Sequence, residues 1–139
     1  MTEDTRKMLA KAVAPASTAL IVIDVQNDFC AKGGYYDKTG ADLSFSAPAI
    51  ERMVQLIDAA RAAGVRVIFA RNHYDDVYVS ETQRSRQRRV GWEMAYCCQG
   101  TWGADFYRVA PLPDETIVTK HRYDAVSYTH LTLPTIYSV

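Results

Sequence analysis

The first strongly apolar stretch of the chain is TALIVID (18–24), in which five consecutive aliphatic residues, three of them β-branched, lie between two polar ends. An unbroken run of this kind, without polar alternation, predicts a strand buried on both faces, as in a parallel sheet. It runs out into the polar Gln26, Asn27 and Asp28, and a loop continues through Gly33 and Gly34. Ile50, Met53, Val54, Ile57 and Ala60 then recur at helical spacing along one face. Ser46 is expected to cap that helix, with Pro48 in its first turn and Gly64 as its stop. VRVIFA (65–70) predicts a second strand, so strand, amphipathic helix and strand form a βαβ unit. Such a unit implies a right-handed crossover and an α/β layered fold. Pro111 and Pro113 break the chain before a third predicted strand, TIVT (116–119), which leads into Lys120.

The remaining segments are less regular. Residues 1–17 read as a polar leader with a short helix over 5–14, ending before Pro15. The arginine-rich stretch 80–89 is a helix or an exposed loop, and GTWGADFY (100–107) is rich in glycine and aromatic residues. There is no internal repeat and no low-complexity tract.

Composition narrows the function classes. The 139 residues suit one domain with a modest core, and 16 basic residues balance 16 acidic ones. No global field favours nucleic acid or an anionic membrane surface, so neither is an expected partner. The N-terminal segment lacks the apolar core of a secretory signal, and 19–23 is far too short to span a bilayer. Cys30, Cys97 and Cys98 are odd in number and show no CxxC spacing, so no disulfide framework or zinc site is expected. A cytoplasmic location is the corresponding expectation.

Chemistry-bearing side chains fall at strand ends. Asp24 lies where the first strand runs out, and ligands of open α/β sheets bind beyond the carboxyl ends of the strands. Partial desolvation there would make a carboxylate a usable proton acceptor; the plain alternative is a loop hydrogen-bond acceptor. Lys120 ends the third strand at the same rim, where an ammonium could orient Asp24 and stabilise developing negative charge, or could simply join two strands. Phe29 and Trp102 are candidates for an apolar pocket wall, with core packing as the alternative. Arg84, Arg86, Arg88 and Arg89 could bind an anionic substrate or a partner subunit, but suit a solvated face better.

ALIVIDVQNDFC followed by GGYYD, a βαβ unit, GTWGADFY and LPDETIVTKHRYDA together resemble the isochorismatase-like cysteine hydrolase superfamily over residues 18–125. The overall pattern is most similar to the amidohydrolase branch acting on ureido and carbamoyl compounds. The resemblance implies an α/β, three-layer Rossmann-like fold, with a parallel sheet flanked by helices, that is incomplete here. It also implies an aspartate–lysine–cysteine triad acting on a small-molecule substrate, without a cofactor. Carried over, Asp24 is the general base and Lys120 the orienting, charge-stabilising partner. The nucleophilic cysteine lies, in the family, on a strand-to-helix turn well after the lysine, in a segment this sequence lacks. Cys30, Cys97 and Cys98 are expected to be structural instead. Some members bind a metal through an aspartate and two histidines after the second strand; RNHYDDV (71–77) offers only His73, so no metal is expected. His121 is expected merely to flank Lys120. Members often assemble, which implies a homo-oligomer for the full-length protein.

The last stretch reads differently. VSYTHLTLPT (126–135) resembles a one-frame translation of a transposase adaptor used in preparing sequencing libraries. The expectation is that natural sequence stops near Ala125, that 126–139 is an artefact, and that the chain by itself is inactive. Three functions then compete. They are hydrolysis of a C–N bond in a small amide or ureide, isochorismate-type vinyl-ether hydrolysis, and a catalytically dead fragment.

Overall fold

The computed structural model describes residues 2–91 and 96–121. The elements run α1 (Glu3–Ala12), β1 (Ala19–Ile23), α2 (Asn27–Cys30), α3 (Tyr35–Lys38), α4 (Ser46–Ala62), β2 (Arg66–Asn72), α5 (Glu81–Val90) and β3 (Thr116–Lys120). The three strands form a parallel sheet in the order β1-β2-β3, as the apolar runs predict. The expected artefact at 126–139 lies outside the described residues.

The core forms where α4 covers one face of the sheet. Ile50, Ile57 and Ala60 pack on Val22, Val67 and Phe69, with Met53 and Val54 partly buried beside them. Burying each of the larger aliphatic side chains is worth about 1.5–3 kcal/mol. Gly64, at φ 72°, ends the helix, and the Val65 N–H donates back to the Ala60 carbonyl at 2.9 Å, closing a left-handed cap.

Two expectations about this unit change. Ser46 does not cap α4: it lies inside the first turn, and its hydroxyl donates to the Cys30 carbonyl at 3.2 Å. The side chain is spent tying the helix to the loop before it. β1 is not buried on both faces either, since Ile21 and Ile23 are 54% and 50% exposed. β1 stands at the edge of the described sheet, whereas the central β2 keeps Val67, Ile68, Phe69 and Ala70 buried. The continuous apolar run therefore reports the burial of β2 better than that of β1.

The polar segments resolve simply. α1 buries no residue, and Thr2 caps it through the Thr5 N–H. The arginine-rich stretch is the helix α5, which starts at its Ser80 cap and stops at Gly91 in the left-handed region. Arg88 pairs with Glu81 and Arg84 donates to the Asp76 carbonyl, while Arg86 and Arg89 are exposed, as a solvated face requires.

Candidate active site

Asp24 is the first residue after β1. Its N–H still completes the ladder by donating to the Ala70 carbonyl at 2.9 Å, but its φ of 56° turns the chain out of the strand. Left-handed backbone is uncommon outside glycine, and aspartate is among the side chains that tolerate it. The turn aims the carboxylate along the rim of the sheet. Lys120 arrives from the end of β3, and its Nζ lies 2.8 Å from Asp24 Oδ2. The lysine side chain is only 2% exposed, the aspartate side chain 30%. Such burial is tolerated by an ammonium only with an anionic partner. Asp24 Oδ1 is buried and has no hydrogen-bond partner among the described residues.

The pair borders a cleft of about 260 Å³ whose other walls are Phe29, Tyr36, Asn72, Tyr74 and Tyr96. The aromatic rings hold one another edge-on: Phe29 against Tyr36 at 5.3 Å, Phe29 against Tyr96 at 5.6 Å, and Tyr74 against Tyr96 at 4.6 Å. Edge-to-face packing of this kind fixes rings more firmly than area burial alone. A second, larger cleft of about 530 Å³ opens at the other end of the strands, between Arg61, Arg66, Leu112 and Thr116. The Arg61 and Glu115 side chains there are committed to each other at 2.7 Å. The cleft beside Asp24 is the better candidate because it lies at the carboxyl ends of the strands, is walled by aromatic rings and holds a buried ion pair.

The loop after Asp24 builds the wall. Gln26 is fully buried; its side-chain amide accepts from the Asn72 N–H and donates to the carbonyls of Asn72 and Ala104. Asn27 donates through Nδ2 to the Trp102 carbonyl at 2.7 Å. The Asp28 carboxylate accepts from the Tyr35 N–H at 3.0 Å and the Cys97 N–H at 2.7 Å, gathering three aromatic-bearing segments. Gly103 sits against that carboxylate so closely that a Cβ there would run into it.

Of the four residues predicted for the site, the fold brings together Asp24, Lys120 and Phe29. Trp102 stands apart, with its indole 54% exposed; its part is the main-chain carbonyl held by Asn27. Sequence reasoning missed Tyr36, Asn72, Tyr74, Tyr96 and the bracing role of Gln26, Asn27 and Asp28. The available signals were the polar QND run directly after a buried strand and the nine tyrosines in a chain of this length.

None of the three thiols is poised to attack. Burial pushes the Cys97 thiol far above its ordinary range, with the Asp28 and Asp24 charges adding to it. Burial likewise raises Cys30 and Cys98. The thiolate is the nucleophile, and these surroundings disfavour it. His73 is buried, which holds its imidazole below the usual range, and its main-chain N–H donates to the Lys120 carbonyl. The His121 ring meets the His73 carbonyl at 2.9 Å and stacks on Tyr78. No group of three or more metal-ligating side chains occurs among the described residues. No helix among them is long and apolar enough to cross a membrane.

The Isochorismatase domain family matches residues 18–133. A curated relative, the ureidoacrylate amidohydrolase RutB of Serratia proteamaculans, is 36% identical over 88% of this chain and 54% of its own. A solved cysteine hydrolase from Pseudomonas syringae pv. phaseolicola superposes with a TM-score of 0.66 at 26% identity, covering 87% of this chain and 55% of that one. An isochorismatase from Pseudomonas putida KT2440 shares the fold with a TM-score of 0.59 at 22% identity, over 88% and 52% of the two chains. The chain thus spans about half the length of the relatives it matches.

Proposed function

This chain belongs to the isochorismatase family, and from that premise we propose that it is the N-terminal part of an amidohydrolase that cleaves a C–N bond of a small amide or ureide. The observation that carries this reading is the 2.8 Å Lys120–Asp24 pair beside the aromatic cleft, with Asp24 Oδ1 left without a hydrogen-bond partner among the described residues. The nucleophile is a cysteine in the half of the domain that this sequence does not contain.

In this reading Asp24 takes the proton of that thiol as the sulfur attacks the carbonyl carbon. The tetrahedral oxyanion collapses, the C–N bond breaks, and Asp24 returns the proton to the leaving nitrogen. Asp24 then deprotonates a water that attacks the thioester, and the thiol leaves with its proton restored. Lys120 holds the carboxylate in line and offsets the negative charge through each step. The Phe29, Tyr36, Tyr74 and Tyr96 walls favour a small, flat substrate.

The test is to sequence the gene through the junction near Ala125, express its whole product, and assay it with ureidoacrylate, other ureides and simple amides. Ammonia release that vanishes when a cysteine beyond Lys120 is changed to alanine supports the proposal. Turnover of isochorismate with none of any C–N substrate overturns it.

A further inference from the structure

Gln26 does something the catalytic reading leaves unused. The backbone ladder between β1 and β2 ends when Asp24 turns left-handed, one rung short of Asn72. The side chain of Gln26 supplies that rung. Its Oε1 accepts from the Asn72 N–H at 2.7 Å and its Nε2 donates to the Asn72 carbonyl at 2.9 Å, so the side-chain amide stands in for a peptide group. Nε2 also donates to the Ala104 carbonyl at 2.8 Å, and the Gln26 backbone bridges Phe106. Every polar atom of this fully buried side chain is thereby engaged.

Asn72 is the register partner of Lys120. The next residue, His73, donates its N–H to the Lys120 carbonyl at 2.9 Å. The end of β3 is thus fixed to the end of β2, and the end of β2 is fixed to the loop carrying Asp24 by Gln26. We propose that Gln26 is a positioning residue that sets the separation of Asp24 and Lys120 by replacing, with its side chain, the ladder rung that the turn at Asp24 removes. This rests on the reading of Asp24 and Lys120 as the reacting pair. The residue type follows from the geometry, which needs one acceptor and two donors at the end of a two-methylene stem. Asparagine is too short, and glutamate lacks the donors unless protonated.

The experiment uses the whole gene product with ureidoacrylate, comparing wild type, Gln26→Met, Gln26→Glu and Asp24→Asn for kcat, KM and melting between about pH 5 and pH 9. Gln26→Met keeps the volume and loses all three bonds. Its kcat should fall at least about tenfold while KM moves less than about threefold, with a cooperative melt. In Gln26→Glu a protonated carboxyl can accept from the Asn72 N–H and donate to one carbonyl, whereas an ionised one faces two carbonyl oxygens. Its kcat should therefore climb toward wild type as pH falls, adding an ionisation that the wild-type profile lacks. A merely structural glutamine would change the melting curve without adding that step. Wild-type kcat and pH profile in folded Gln26→Met or Gln26→Glu protein overturns the proposal. If Gln26→Met does not fold, the pH profile of Gln26→Glu decides alone. An inactive Asp24→Asn beside unaffected Gln26 variants defeats this proposal only, whereas an active Asp24→Asn defeats the catalytic reading beneath it.

Discussion

At the scale of single residues, Asp24 and Lys120 divide the work between geometry and charge. Asp24 accepts a left-handed backbone, and its Oδ1 is buried without a hydrogen-bond partner among the described residues. In the proposed mechanism, Asp24→Asn in the whole gene product preserves shape and removes the proposed base, so the rate of ureide hydrolysis should fall at least about a hundredfold. Turnover within a few-fold of wild type would remove Asp24 from the chemistry. Lys120 tests the charge. Its ammonium is buried, yet the partner carboxylate retains access to water and can re-solvate if the amine is lost. Lys120→Met should therefore cost less than the roughly 3–5 kcal/mol of breaking a fully buried pair in a melting curve and lower turnover by about two orders of magnitude. A large loss of stability with preserved turnover would make Lys120 a strut between strands.

At the scale of elements, the sheet end that carries the site depends on how β3 is anchored at its far end. Arg61 of α4 donates Nε and Nη2 to the two oxygens of Glu115, just before β3, and Nη2 also reaches the Ala110 carbonyl. This two-point pairing holds the Glu115 carboxyl below the usual carboxylate range. A carboxylate depressed in the folded state stabilises fully above its unfolded pKa of about 4.3 and loses that contribution as pH falls through the lower folded value. Glu115→Gln should thus cost about 1 kcal/mol at neutral pH, measured by denaturant melts, and the gap to wild type should close on acidification below about pH 4. A gap independent of pH would assign the effect to packing. The core contact of the same unit is Phe69, which is fully buried between α4 and the edge of the Phe106 ring at 5.4 Å. Phe69→Ala should cost about 3–5 kcal/mol, enough to leave the isolated chain largely unfolded by circular dichroism.

At the scale of the whole molecule, one face of the sheet is the weak point. Ile21 and Ile23, which share the face opposite Val22 and Phe69, are each about half exposed. Parallel sheets are stable when both faces are covered, and relatives of about twice the length have the residues to do it. The 139-residue chain should therefore bind an apolar-surface dye and unfold over a broad thermal range, whereas the whole gene product should melt sharply without dye binding. A sharp transition for the short chain, with an ordinary midpoint and no dye signal, would show that its described core suffices.

The same scale separates what the chain's order of residues determined from what its folding decided. The three strands, the α4 stripe and the stop at Gly64 were legible because each depends on short-range periodicity or on a backbone angle only glycine takes easily. Asp24 and Lys120 were legible as candidates because each directly follows or ends an apolar run. Their 2.8 Å approach was not, since it depends on parallel register across β2 rather than on spacing along the chain. The aromatic wall joins residues up to 67 positions apart, from Phe29 to Tyr96, and local pattern says nothing about such distances. Trp102 shows the converse: a large aromatic in a glycine-rich segment suggested a pocket wall, yet its ring is left in solvent while its carbonyl braces Asn27. Ser46 could have capped α4 in isolation, but folding placed the Cys30 carbonyl within reach of its hydroxyl. Local sequence selects the elements because hydrophobic periodicity and turn residues act over a few neighbouring positions. The candidate site was settled by tertiary structure, because Asp24, Gln26, Asn27 and Asp28 find their side-chain partners on distant segments.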